Sequence, residues 1–164
     1  MPRTFADLGL PNDIVTALKR NDIHEPFPIQ EATIADALTG ADIAGRAPTG
    51  SGKTLAFGLP MLANVAAAQP RHPRGLILSP TRELAAQIRK DLAPYGKAVK
   101  RQVFAIYGGV RYQAQKDWLN RGVDIGRILA LHLQKLAETR LEVGVGRIDK
   151  YRHACLVRHR CWCS

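Results

Sequence analysis

The 164-residue chain has no apolar run approaching the roughly 18 residues of a membrane span, and its N-terminus has no basic segment leading into an apolar core, so a cytoplasmic protein with no membrane partner is the expectation. No internal repeat is visible, which argues against a repeat array. Cysteine is scarce: the three present, Cys155, Cys161 and Cys163, all fall at the end of the chain, and in a cytoplasmic setting they read as free thiols. Acidic charge is also short, with 14 Asp and Glu against 24 Lys and Arg and a net charge of +10. Such an excess points to a polyanionic partner, most simply nucleic acid, although a solvated basic surface would give the same number. What is present in quantity is apolar residue, 46%, enough for one domain with a sizeable core but crowded for two.

The charge is uneven. Residues 126–164 hold 8 Lys and Arg against 3 Asp and Glu, half the net charge in about a quarter of the length, together with all three cysteines and three of the five histidines. Within this tail His153, Cys155, His159, Cys161 and Cys163 are ligand types that zinc accepts. Their spacing is not the paired form of common structural zinc sites, so free thiols remain the plainer reading and no metal centre is expected there.

Residues Ala47-Pro48-Thr49-Gly50-Ser51-Gly52-Lys53-Thr54 are the most informative stretch. Gly50 and Gly52 allow backbone angles that a Cβ would penalise, so successive N–H groups can turn inward as an anion cradle. Lys53 brings a point charge to the outer phosphates of a nucleoside triphosphate, and Thr54 offers a hydroxyl to the accompanying Mg²⁺. The general phosphate-loop pattern has Gly where Ala47 stands; every other required position is matched. The alternative is a Gly-rich turn before a helix.

Around this loop the chain alternates. Pro11 opens a helical pattern with Ile14, Val15 and Leu18 on one face, and Pro28 opens a second with Ile29, Ala32 and Ala37. Gly40-Ala41-Asp42 marks a turn, and Ile43-Ala44 begins an expected first strand that ends in the loop. A helix to about Ala67, a loop over 69–74, a strand over 75–79, a helix over 81–93, a strand over 103–106, a helix over 111–120 and a strand beginning at 123–125 follow. That order predicts a doubly wound α/β fold with ligands at the C-terminal ends of parallel strands.

Several of these stretches have the spacing of one family. The chain resembles the N-terminal half of the first RecA-like domain of a DEAD-box RNA helicase, whose phosphate loop carries Ala at its first position, as here. Pro26-Phe27-Pro28-Ile29-Gln30 resembles the family's Q motif, with Phe5 at the place of its isolated upstream aromatic, while Asp22 and Ile23 stand where Gly and an aromatic are more usual. The resemblance implies that Gln30 meets the adenine edge of ATP, Phe5 stacks on the ring, Pro26 and residues Ala47 to Thr54 complete the nucleotide site, and Lys53 and Thr54 serve catalysis, Thr54 through Mg²⁺. Taken alone, Gln30 would read as a surface glutamine on a helix. Pro80-Thr81-Arg82-Glu83 resembles motif Ia and Gly108-Gly109 the glycine pair that follows it, both implying contacts to the RNA backbone. The plainer readings are a helix cap at Thr81 and a turn at the glycines.

The resemblance spans residues 5–125 and implies three parts: Q-motif helices over 1–40, an incomplete RecA-like P-loop parallel sheet flanked by helices over 41–125, and a divergent basic tail over 126–164, where the chain is truncated or frameshifted. Thr-Pro-Gly-Arg, Asp-Glu-Ala-Asp and Ser-Ala-Thr segments, which the family would show next, do not occur in these 164 residues. Three alternatives stay open: another P-loop enzyme, a non-catalytic nucleotide- or nucleic-acid-binding module, and a pseudogene product.

Overall fold

The computed structural model describes residues 3–67, 74–106, 112–121 and 125–129. Five helices and three strands are formed among them: α1 (Asn12–Arg20), α2 (Pro28–Leu38), α3 (Lys53–Asn64), β1 (Gly75–Ser79), α4 (Arg82–Ala98), β2 (Val103–Ile106), α5 (Tyr112–Arg121) and β3 (Ile125–Leu129). All strand pairs are parallel and β3 lies in the middle, in the order β1-β3-β2, with Gly75 and Val103 both opposite Ile125. The chain thus passes from β1 through α4 to a terminal position, then returns through α5 to fill the gap. Crossovers running in opposite directions put their helices on opposite faces of a sheet when both take the usual right-handed form, as in a doubly wound fold.

The core sits on the α4 side. Ile77 of β1, Ile88, Leu92 and Tyr95 of α4, and Leu59, Met61 and Leu62 of α3 share one apolar cluster with Ile14 and Leu18 of α1, Ile34 of α2 and the N-terminal Phe5, Leu8 and Leu10. Helices α1 and α2 therefore pack into the same core as the sheet. Ile14 and Leu18 share a face because they are four residues apart, and both are fully buried. Helix α3 can lie close to α4 because Gly58 has no side chain: a Cβ there would come within 2.2 Å of Leu92 Cδ2. The opposite sheet face is less well covered, with Leu76, Leu78, Phe104 and Ile106 half-buried.

Three expectations are corrected. Ile43-Ala44 is not a strand: residues 41–48 are irregular, since a strand exists only as part of a ladder and no described segment pairs with them. Helix α2 turns Gln30 and Ile34 inward and leaves Ala32 exposed, because the Gln30 amide has partners inside. Helix α4 continues through Pro94 to Ala98; Pro94 is exposed, and the helix accommodates it.

Candidate nucleotide-binding site

The loop expected to hold phosphate has the backbone that its glycines foretold. Gly50 has φ 79° and Gly52 φ 78°, both left-handed, and Gly52 then caps the N-terminus of α3. A helix that begins this way leaves its first N–H groups unpaired in one direction, which is where an anion is favoured. Lys53 folds back across the loop: its Nζ donates to the carbonyl oxygen of Ala47 at 2.7 Å and to that of Pro48. Ser51 Oγ donates to the Pro48 carbonyl at 2.8 Å. The cation is thereby parked on loop oxygens at the mouth of the turn, and a triphosphate would exchange those neutral acceptors for charged ones. Thr49 and Gly50 are exposed, Ala47, Ser51, Gly52, Lys53 and Thr54 half-buried, so the loop is reachable from solvent.

Gln30 ties α2 to this loop. Its Oε1 accepts from the Phe27 N–H at 2.9 Å and its Nε2 donates to the Gly52 carbonyl at 3.0 Å, with the side chain only 1% exposed. An amide has four hydrogen-bonding positions, so one N–H and one lone pair are left over for a further partner. Gln30 is thus no surface glutamine. Phe27 was not singled out by its sequence context, yet it stands beside the loop: it is 53% exposed, and a Cβ on Gly52 would meet its Cδ2 at 2.7 Å. Its only signal was membership of the Pro26–Gln30 segment.

Phe5 is placed differently from the expectation. It is 2% exposed, in the core with Leu8, Leu10 and Ile14 rather than open at the surface beside the loop. The turn that carries it is fixed by Asp7, whose carboxylate accepts from the Thr4 N–H and hydroxyl, both at 2.7 Å.

The second cluster lies at the end of β1. Thr81 caps α4 by accepting the Leu84 N–H at 3.2 Å, and the buried Ser79 hydroxyl donates to the Thr81 carbonyl at 3.2 Å. Pro80, Thr81, Arg82 and Glu83 are all exposed. The cap reading of Thr81 therefore holds, and it leaves the N-terminus of a 17-residue helix facing solvent with Arg82 at its first position. Gly108 and Gly109, and the His153 to Cys163 cluster, lie outside the described residues.

As a metal site the loop offers little by itself. Thr54 is one hydroxyl, and among the described residues no group of three His, Cys, Asp or Glu side chains could hold an ion. Mg²⁺ demands six oxygen ligands and keeps its waters reluctantly shed, so Thr54 fits it only as one ligand of an ion carried in on phosphate oxygens. Among the described residues no helix is long and apolar enough to cross a membrane.

Comparison with known proteins gives one consistent result. A maize protein named DEAD-box ATP-dependent RNA helicase 3A, chloroplastic, is 44% identical over 139 residues, and ATP-dependent RNA helicase DeaD of Escherichia coli K12 is 43% identical over 138. These alignments take in 77% and 80% of this chain but only 18% and 22% of the relatives, so the chain spans about a fifth of their length. The crystal structure of the RNA-helicase Prp28 from Chaetomium thermophilum bound to ADP is 36% identical, with a TM-score of 0.77 over 86% of this chain and 35% of that one. The fold is accordingly the expected RecA-like α/β domain in incomplete form. The DEAD/DEAH box helicase family model matches residues 27–144, which runs past Ile125, as β3 does by extending to Leu129. With a match over well more than half of its length, the chain belongs to the DEAD/DEAH box helicase family.

Proposed function

We propose that this chain is the nucleotide-binding part of an ATP-dependent RNA helicase, taking ATP at residues 47–54 and RNA backbone at residues 80–83. The observation that carries the reading is the turn of Gly50 and Gly52 opening α3, with Lys53 reaching across it and Gln30 bonded to its last carbonyl. In this reading Lys53 moves from the Ala47 and Pro48 oxygens to the outer phosphates, the loop N–H groups meet the inner ones, and the spare amide positions of Gln30 read the adenine edge. Thr54 contributes its hydroxyl to the Mg²⁺ that travels with ATP, an ion that supplies charge neutralisation at the phosphates. Thr81, the α4 N-terminus and Arg82 hold phosphates of RNA without reading its sequence. Gly108 and Gly109 would extend that contact.

Hydrolysis is a separate matter. Positioning of the attacking water and stabilisation of the transition state are most of phosphoryl-transfer catalysis, and the family's Asp-Glu-Ala-Asp carboxylates are not among these 164 residues. We therefore assign RNA-stimulated hydrolysis and duplex opening to the complete family architecture, and binding with little turnover to this chain. The domain parts at 1–40, 41–125 and 126–164 are proposed with the last boundary moved to follow Leu129, and a cytoplasmic location is proposed with them. The test is base selectivity: wild-type chain should bind ATP in preference to GTP, and Gln30→Ala should erase the preference. Equal affinities in both forms would overturn the adenine-reading role of Gln30.

A further inference from the structure

One feature of the surface lies apart from both clusters. Arg89 of α4 places its guanidinium carbon 5.9 Å from the ring centre of Phe104 on β2; Phe104 stacks on Trp118 of α5 with centroids 5.2 Å apart and planes 25° from parallel; and the Arg121 guanidinium carbon lies 5.5 Å from the Trp118 ring centre. Three elements thus contribute to one run of cation, aromatic, aromatic, cation. It includes β2, a terminal strand of the described sheet, and is open to solvent: Trp118 keeps 41% of its surface open, and Arg89 and Arg121 are exposed.

We propose that this run is a stacking site for unpaired RNA bases, outside the backbone-binding cluster at Thr81 and Arg82. It rests on the reading that the chain meets RNA. An exposed indole is a face on which any base can stack, and flanking guanidiniums supply both stacking planes and charge for the phosphates on either side. An incoming base takes the place of the Arg121 guanidinium on Trp118, and Arg121 turns to the adjoining phosphate. The charge around the run suits a polyanion. Of the carboxylates on the same two helices, Asp91 accepts from Gln87 Nε2 at 2.7 Å and Asp117 from Gln113 Nε2 at 3.1 Å, each Gln one turn away on the same helix, while the exposed Lys90 and Lys97 of α4 add positive charge. Glu83 is the remaining acidic group, and it sits at the far N-terminus of α4. Recognition by stacking is blind to sequence and favours single strands, whose bases are free.

The chain has two tryptophans, so Trp162→Phe leaves Trp118 as its sole indole reporter. Titrating that full-length variant with a twelve-nucleotide oligouridylate should quench its fluorescence saturably, and an RNA duplex of equal length should quench it weakly. In the otherwise wild-type chain, Trp118→Leu should weaken oligouridylate binding about tenfold. Arg121→Gln, a surface change, should weaken it a fewfold, and Arg121→Lys should weaken it less. Circular dichroism checks that each variant is folded. Binding without quenching, or equal affinity in the Arg121→Gln and Trp118→Leu variants and wild type, overturns the stacking site and leaves the Thr81 and Arg82 contact standing. Absence of any oligouridylate binding at low salt overturns both.

Discussion

The side-chain amide of Gln30 donates to the carbonyl oxygen of Gly52, 22 residues further along, at a distance of 3.0 Å. Through this bond, and the one its Oε1 accepts from Phe27, a buried side chain fixes how the start of α2 meets the phosphate loop. Gln30→Ala would leave a buried N–H and C=O unpaired, and the loss of unfolding free energy should be about 1–3 kcal/mol. Urea unfolding of the two proteins measures it; no change would mean that the bond contributes nothing to holding the loop.

Gly58 of α3 faces Leu92 of α4 in the core. A Cβ at position 58 would stand 2.2 Å from Leu92 Cδ2 and 2.8 Å from its Cδ1, and Leu92 is fully buried with nowhere to go. Gly58→Ala gains about 1 kcal/mol of helix propensity and should still lose stability, because overpacking costs about 1–3 kcal/mol. In a Leu92→Val background the loss should shrink, and a double-mutant cycle in urea shows whether it does.

Asp22 has φ 57°, in the left-handed region where a side chain is strained. It stands at the position where the family more usually has glycine, and the angle gives the physical reason for that usage. Asp22→Gly should therefore raise stability by up to about 1 kcal/mol, read as a higher melting temperature, with nucleotide affinity unchanged.

Asp7 is held below its ordinary carboxylate range chiefly by the Thr4 backbone N–H, and further by the Thr4 hydroxyl. A depressed folded-state value means that its stabilising contribution is present above the unfolded value near 3.9 and is lost as pH falls through the folded one. Carboxyl-detected NMR titration should place Asp7 below a free aspartate, and Thr4→Val should move it upward while leaving the backbone contribution.

Much of this was legible beforehand, for reasons that differ by residue. Gly50 and Gly52 were readable because glycine adopts their angles without strain, and Thr81 because a hydroxyl before a helix has one obvious use. Strands β1 and β2 were readable as short apolar runs after turns. Ile43-Ala44 carried the same local signal and forms no strand, since ladder partners are supplied by distant sequence. Phe5 lies in the core because burial is decided by how the N-terminal turn packs, which its spacing from Gln30 does not encode. The run from Arg89 to Arg121 joins three elements and has no sequence signature at all.

The most direct measurement is calorimetric titration of the 164-residue chain with ATP and Mg²⁺, alongside Lys53→Ala. The account predicts a single saturable site in the wild type and an affinity lower by at least about tenfold in the variant, whose loop has lost its cation. Heat of binding that is the same for both proteins, or no binding to the wild type, would contradict it.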